Sequence, residues 1–173
     1  MQSSEQQYRD RVQQNDFFDA DLEDAHRKVS AQTAHTSVNP ESNQKTEGSL
    51  AERFMQTLQQ IEETKNVDPL VALFAEDADL SNLVMHQPIQ GHKMIQQFWQ
   101  NYLSVFDQIH SRFTYTSEGN GTITLEWVSE GTLSSGEPFS YRGVSILETQ
   151  NGKVQHFRTY YDSATFLPQG AKQ

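Results

Sequence analysis

Apolar side chains recur every three to four positions as far as Phe106 and at every second position beyond it. That change of period splits the folding part of the chain into a helical half and a strand half. In the helical half, Leu50, Phe54, Leu58 and Ile61 share one face, and Ser49 with Glu52 has capping-box spacing. Asp68-Pro69 predicts a second start, an acidic N-cap followed by a proline whose missing N–H costs nothing there. Leu70, Val71, Leu73 and Phe74 are its apolar face. The segment from Ala78 to Val84 is short and partly apolar, which predicts a strand, and Gln87 to Gly91 breaks the chain. Ile95, Phe98, Trp99, Tyr102, Leu103 and Phe106 then form an aromatic stripe at helical spacing, a pattern more common in cores than in cofactor sites.

The strand half predicts four strands: about His110 to Ser117, Gly121 to Leu133, Pro138 to Thr149 and Lys153 to Tyr161. Gly119-Asn120-Gly121, Ser135-Gly136 and Asn151-Gly152 punctuate them, and the last suits a type I′ turn. Consecutive hairpins make an antiparallel meander. The expected fold class is α+β, a cone in which three N-terminal helices pack in a strongly curved antiparallel sheet. Its wide end is a natural ligand site.

Residues 49–168 form this expected domain, followed by a short tail over 169–173. Residues 1–48 are rich in Gln, Asp, Glu and Ser and predict a largely disordered or partly helical tail. The alternative is that Phe17, Phe18 and Leu22 dock on the domain or on a partner. The chain carries a net charge of −10 with no basic cluster, which argues against nucleic acid and against an anionic membrane surface as partners. There is no cysteine, so disulfides and thiolate metal sites are excluded. The first residues contain no apolar h-region, and a cytoplasmic protein is expected.

Strand parity predicts which side chains face the interior. Ile123, Leu125 and Trp127 alternate with Thr122, Thr124 and Glu126, so the apolar set points inward and carries Ser129 with it. On the next strand Phe139, Tyr141, Ser145 and Leu147 share one face, but Val144 and Ile146 make the other apolar too, leaving parity open. That second apolar face, with Val128, suggests a homodimer packed sheet against sheet; coverage by the N-terminal tail is the alternative.

Three segments in order resemble the NTF2-like superfamily, with its SnoaL-like cyclases, ketosteroid isomerases and limonene-epoxide hydrolases. LFAEDADLSN is similar to the family's segment leading into the first strand, PIQGHKMIQQFW to its entry into the third helix, and GVSILETQNGKVQHFRTYYDSATFL to its closing hairpin. The resemblance covers about Leu50 to Leu167. It implies that Phe157, Thr159 and Tyr161 point inward, with Arg158, Tyr160 and Asp162 outward. The charged residues of the hydrolase pattern are missing, since Trp127, Ser129 and Thr159 stand at their positions. Asn82 falls at the water-binding Asn of those enzymes, with Leu80 at their Tyr, and also at the carboxylate base of the isomerases, a role no neutral amide can fill.

These readings converge on a pocket for a small, mostly apolar molecule. Its expected lining is Phe54, Leu80, Phe98, Tyr102, Phe113 and Trp127, together with Ser129, Thr159 and Tyr161. If the protein is an isomerase, cyclase or hydrolase, the resemblance implies acid–base chemistry without a cofactor. Asn82 would then bind water or a carbonyl oxygen, and Tyr141 or His86 would donate the proton. Asp162 reads as the cap of a short helix through Phe166, and it enters the site with Arg158 only if the parity of the last strand is reversed. The histidines lack metal-ligand spacing, so no metal is expected. The alternative is a non-catalytic dimeric ligand-binding or protein-interaction module.

Overall fold

The computed structural model describes residues 48–163. The expected N-terminal tail through Glu47, the body of the helix expected through Phe166 and the tail from 169 lie outside them. Helix α1 (Leu50–Thr64) begins as the capping box requires. Ser49 Oγ accepts from the Glu52 backbone N–H at 3.2 Å, and Glu52 Oε2 accepts from that of Ser49 at 3.0 Å. The helix ends where Lys65 turns left-handed at φ 60° and returns its N–H to the Ile61 carbonyl.

Helix α2 (Asp68–Val71) is a single turn. Its N-cap is Val67, one residue before the expected Asp68, because the Asn66 side chain holds the Asp68 N–H at 3.2 Å. The longer apolar face expected through Phe74 does not form. Phe74 instead opens strand β1 (Phe74–Asn82), aligned in parallel with Val154, and the Val154 N–H donates to the Leu73 carbonyl at 2.9 Å. Pairing with a distant strand therefore overrides the local helical period.

Strand β2 (Ile89–Gln90) pairs with Asp79 and Leu80, so the expected chain break contains a two-residue strand. Helix α3 (His92–Ser104) carries Ile95, Trp99 and Leu103 into the core. Strands β3 (Phe106–Gly119), β4 (Thr122–Leu133), β5 (Pro138–Gln150) and β6 (Lys153–Tyr161) are the expected meander. The sheet order is β2-β1-β6-β5-β4-β3, antiparallel except for the β1–β6 pair. Strand β3 starts at Phe106, four residues early, and shifts register at Phe106/Gln108 and Phe113/Tyr115. Such irregularities bend a strand and increase its twist. Asn120 (φ 52°) with Gly121 (φ 74°), and Asn151 (φ 53°) with Gly152 (φ 72°), supply the two left-handed residues of type I′ hairpin turns.

Burial resolves the parity left open on β5. Phe139, Tyr141, Ser145 and Leu147 are buried, while Val144 and Ile146 are partly exposed on the opposite face. On β6, Phe157 and Thr159 are buried and Tyr160 is exposed. The core between sheet and helices is anchored by Phe54, Phe74 and Phe157, with ring centroids 5.8–6.1 Å apart. Trp99 meets Phe157 edge-on at 5.8 Å, tying α3 to the same cluster.

Candidate functional site

Toward β3–β5 the core becomes a wall of larger rings with polar tips. Phe98 stacks on Tyr102 at 6.4 Å and 11°, Tyr102 meets Phe106 edge-on at 5.1 Å, and Phe106 packs against Phe139 at 4.7 Å. Tyr141 stands edge-on to both Trp127 (5.1 Å) and Tyr161 (5.7 Å). Gly143 opposes Trp127 across β4–β5; a Cβ there would lie 2.6 Å from the indole ring and 2.4 Å from the Tyr160 carbonyl. Its missing side chain lets the indole lie flat enough to reach across the sheet. Trp127 Nε1 donates to Ser145 Oγ at 3.0 Å, and Ser145 shares a hydrogen bond with Thr159 at 3.0 Å.

Two further polar groups lie nearby, one around a buried carboxylate and one formed by a pair of tyrosine hydroxyls. Glu62, in the last turn of α1, is 3% exposed. Its Oε2 accepts from the Ser111 backbone N–H at 2.8 Å, and its Oε1 accepts from Ser111 Oγ. Ser111 Oγ lies 2.6 Å from Ser129 Oγ, the residue directly across β3–β4. Ser129 in turn opposes Tyr141 across β4–β5. Tyr141 and Tyr102 place their hydroxyl oxygens 2.5 Å apart. Gln59 fixes α1 to the same strand, donating to the Ser111 carbonyl at 2.9 Å.

Burial sets the charge states of these groups. Loss of water pushes the Glu62 carboxyl above its ordinary value, against the two Ser111 hydrogen bonds and the positive charges of His110 and Lys65. Burial also raises Tyr102 well above the usual phenol value, and the neighbouring Tyr141 adds to the rise. Tyr141 and Tyr161 are raised by burial too. At neutral pH the three tyrosines are therefore neutral hydroxyls, each able to donate one hydrogen bond and accept others.

The residues singled out from the sequence are not all brought together. Tyr102, Trp127, Ser129, Tyr141 and Tyr161 meet in the aromatic wall, with Phe98 stacked on its edge and Thr159 joined through Ser145. Phe113 packs partly buried against the same core. Phe54 and Leu80 sit in the closed apolar core, at most 1% exposed. Asn82, at the end of β1, spends its amide oxygen on the turn that follows, accepting from the Val84 and Met85 N–H groups at 3.1 Å each. His86 is exposed on the loop beyond it. Arg158 points outward and pairs with Glu148 of the neighbouring strand at 2.7 Å, which raises its affinity for its proton. Asp79 lies outward beside Leu80 and meets His156 Nδ1 at 2.7 Å. Among the described residues no cluster of histidine and acidic groups has the makings of a metal site.

The wide hollow expected inside the sheet is occupied by these rings. A cavity of about 200 Å³ opens beside Tyr141, lined by Val128, Ser140, Arg142 and Asp162, and one of about 420 Å³ lies at α2 and the start of α3. Sequence reasoning missed Glu62, Ser111 and Ser145. For Glu62 a signal existed: it continues the flank of the apolar stripe four residues after Leu58 and seven after Met55, so the helix turns it inward. Trp99 Nε1, buried and without a hydrogen-bond partner, was also passed over as plain core.

The family model that matches this chain is that of the SnoaL-like domain, over residues 51–157. No curated protein sequence matches it. Among solved structures, an NTF2-like protein from Anabaena variabilis is similar at 19% identity and a TM-score of 0.61, over 67% of this chain and 89% of that one. A protein with a ketosteroid isomerase-like fold from Catenulispora acidiphila, in complex with trimethylamine, is similar at 17% identity and 0.60, over 69% and 97%. An LEH-like epoxide hydrolase from M. tuberculosis is similar at 12% identity and 0.54, over 67% and 85%. At such identities the likeness is one of fold. No helix among the described residues is long and apolar enough to cross a membrane. With a family model spanning more than half its length, the chain belongs to the SnoaL-like domain family.

Proposed function

We propose that this domain binds a small, mostly apolar molecule bearing one oxygen acceptor and acts on it by acid–base chemistry, as an isomerase, cyclase or hydrolase without a cofactor. The observation that carries this reading is the pair of neutral tyrosine hydroxyls, Tyr102 and Tyr141, set into an aromatic wall. Rings such as Phe98, Trp127 and Tyr161 supply apolar contact, and a few polar tips fix orientation, which is the usual division of labour in small-molecule sites. A hydroxyl pair in a dry site stabilises charge developing on a carbonyl or epoxide oxygen more than water would. Ser129 and Thr159 share the inner face with the tyrosines, Ser129 bonded to Ser111 and Thr159 to Ser145. Asn82 and His86 have no part in this reading, because one caps a turn and the other is exposed.

Two probes test it: acetophenone, followed by deuterium uptake at its α-carbon in D2O, and styrene oxide, followed by diol formation. We expect the protein to accelerate at least one, and Tyr102→Phe to lower that rate about 10²–10³-fold, the usual loss for one such donor. Binding of neither probe, or a Tyr102→Phe rate equal to wild type, overturns the proposal. Binding with no turnover supports a second reading, a non-catalytic ligand-binding module, which the bonding of the two tyrosine hydroxyls to each other, with no carboxylate in the contact, favours. In either case a homodimer is proposed through the outer sheet face, where Val128, Val144, Ile146 and Tyr160 leave apolar surface.

A further inference from the structure

We infer that residues 33–39 of the N-terminal segment add to the free edge of β3 as a further strand, bonding the backbone of Thr116 and Glu118. β3 ends the sheet, and no described strand lies beyond it. Its outward backbone groups need partners, since an open edge invites pairing with other chains. Part of the edge is already closed. Ser111 turns both its backbone groups away from β4: Glu62 Oε2 accepts from its N–H at 2.8 Å, and Gln59 Nε2 donates to its carbonyl at 2.9 Å. Two side chains of α1, one turn apart, thus occupy the places of a neighbouring strand's carbonyl and N–H.

Past the register shift at Phe113/Tyr115, no side chain among the described residues closes the edge in this way. The two-residue turn Asn120-Gly121 closes on Gly119 and Thr122, which face each other as a hydrogen-bonded pair. Alternation then turns the N–H and C=O of Glu118 and Thr116 outward. Every residue from Thr114 to Gly119 is exposed. The edge is therefore shut at Ser111 and open at Thr116 and Glu118.

The chain itself supplies the occupant. α1 runs antiparallel to β3, with Glu62 against Ser111 and Met55 against Thr116. Ser49 precedes Met55 by about 9 Å of helix, and Gly119 follows Thr116 by about 10 Å of strand. The preceding chain therefore leaves the domain beside the open edge. Residues 40–48 can span up to about 30 Å, enough to reach any point of it. From Val29 to Pro40 there is no Asp, Glu, Lys or Arg, the longest such stretch of residues 1–47, so no acidic side chain repels Glu118. Thr33, Thr36 and Val38 are β-branched and suit a strand, and Pro40 ends it for want of an N–H. The tether raises the effective concentration of so short a strand at the edge. A second copy's β3 would instead bring another Glu118 to the same place, and like charges oppose pairing.

The test is amide hydrogen exchange, followed by NMR on the full chain without ligand. The Ser111 N–H, held by Glu62, is the reference for a bonded edge amide. We expect Thr116 and Glu118 to exchange slowly, at rates independent of protein concentration. Adjacent strand residues turn their N–H groups to opposite sides, so one of Thr36→Pro and Ser37→Pro removes a ladder donor. At least one of them is expected to speed exchange at Thr116 and Glu118 by about tenfold or more, with Ser111 unchanged. Asn43→Pro, in the connecting stretch, should leave all three rates as they are. Fast exchange at both amides in wild type overturns the inference, as does protection that survives both Thr36→Pro and Ser37→Pro. Protection that disappears on dilution assigns the edge to a second copy and overturns it equally. Failure of acetophenone and styrene oxide to bind would count against the proposed function alone.

Discussion

Burying Glu62 replaces water around a carboxylate by two serine-derived donors, which do not fully compensate, so its affinity for a proton rises on folding. The sign of the consequence for stability follows by linkage. Below the ordinary carboxylate range, about pH 4, Glu62 is protonated in both folded and unfolded chains and its contribution is intact. As pH rises the unfolded chain ionises first, and stability is lost until pH passes the raised folded value. Glu62→Gln keeps the shape without the charge. Its melting temperature relative to wild type is therefore expected to climb between weakly acid and neutral pH in thermal scans; a difference independent of pH would refute the assignment. The residue was hidden from sequence reading by a sound prior, that glutamate is almost never fully buried. Its partner Ser111 lies 49 positions away, beyond the reach of any local pattern. Trp127, Ser129 and Tyr141 were legible because the alternation from Ile123 onward fixes their face once one member is known to be buried.

Helix α1 holds Glu62 in place, and its N-terminus rests on the Ser49–Glu52 capping box. Ser49→Ala removes an acceptor from the Glu52 N–H, and chemical denaturation should show a loss of about 0.5–2 kcal/mol. No change would mean that packing of Leu50 and Phe54 alone sets the start of the helix. The capping box and the Asn-Gly turns were readable because each is a local bargain among neighbours in sequence. The α2–β1 boundary was not, because Phe74 belongs to β1 through its alignment with Val154 of β6, eighty positions on. Likewise β3 begins at Phe106 because the sheet extends it opposite Leu133, although the helical stripe runs to the same residue.

In the whole molecule, the apolar residues on both faces of β5 divide the sheet's work. The inner face packs against α1 and α3, while Val144 and Ile146 remain partly exposed on the outer face beside Tyr160. Charge placed there should separate a sheet-to-sheet dimer without touching the interior. Ile146→Glu is expected to halve the mass seen by sedimentation equilibrium while leaving the far-ultraviolet spectrum unchanged; a wild-type chain already monomeric would remove the dimer from the account. The sequence implied an open, uncharged hollow, whereas the structure fills that space with rings, pairs the Tyr102 and Tyr141 hydroxyls, and buries the Glu62 carboxyl against Ser111. Hydrophobic alternation reports which side chains face inward but not whether their volumes leave room.

The proposed function stands or falls with the hydroxyl of Tyr102 as the point where a ligand oxygen is held. The C=O stretching band of carbonyl-13C acetophenone bound to the protein reads this contact directly. A shift to lower frequency on binding, lost in Tyr102→Phe and kept in Asn82→Ala, is the result the account requires. A shift that survives Tyr102→Phe, or that vanishes with Asn82→Ala, contradicts it.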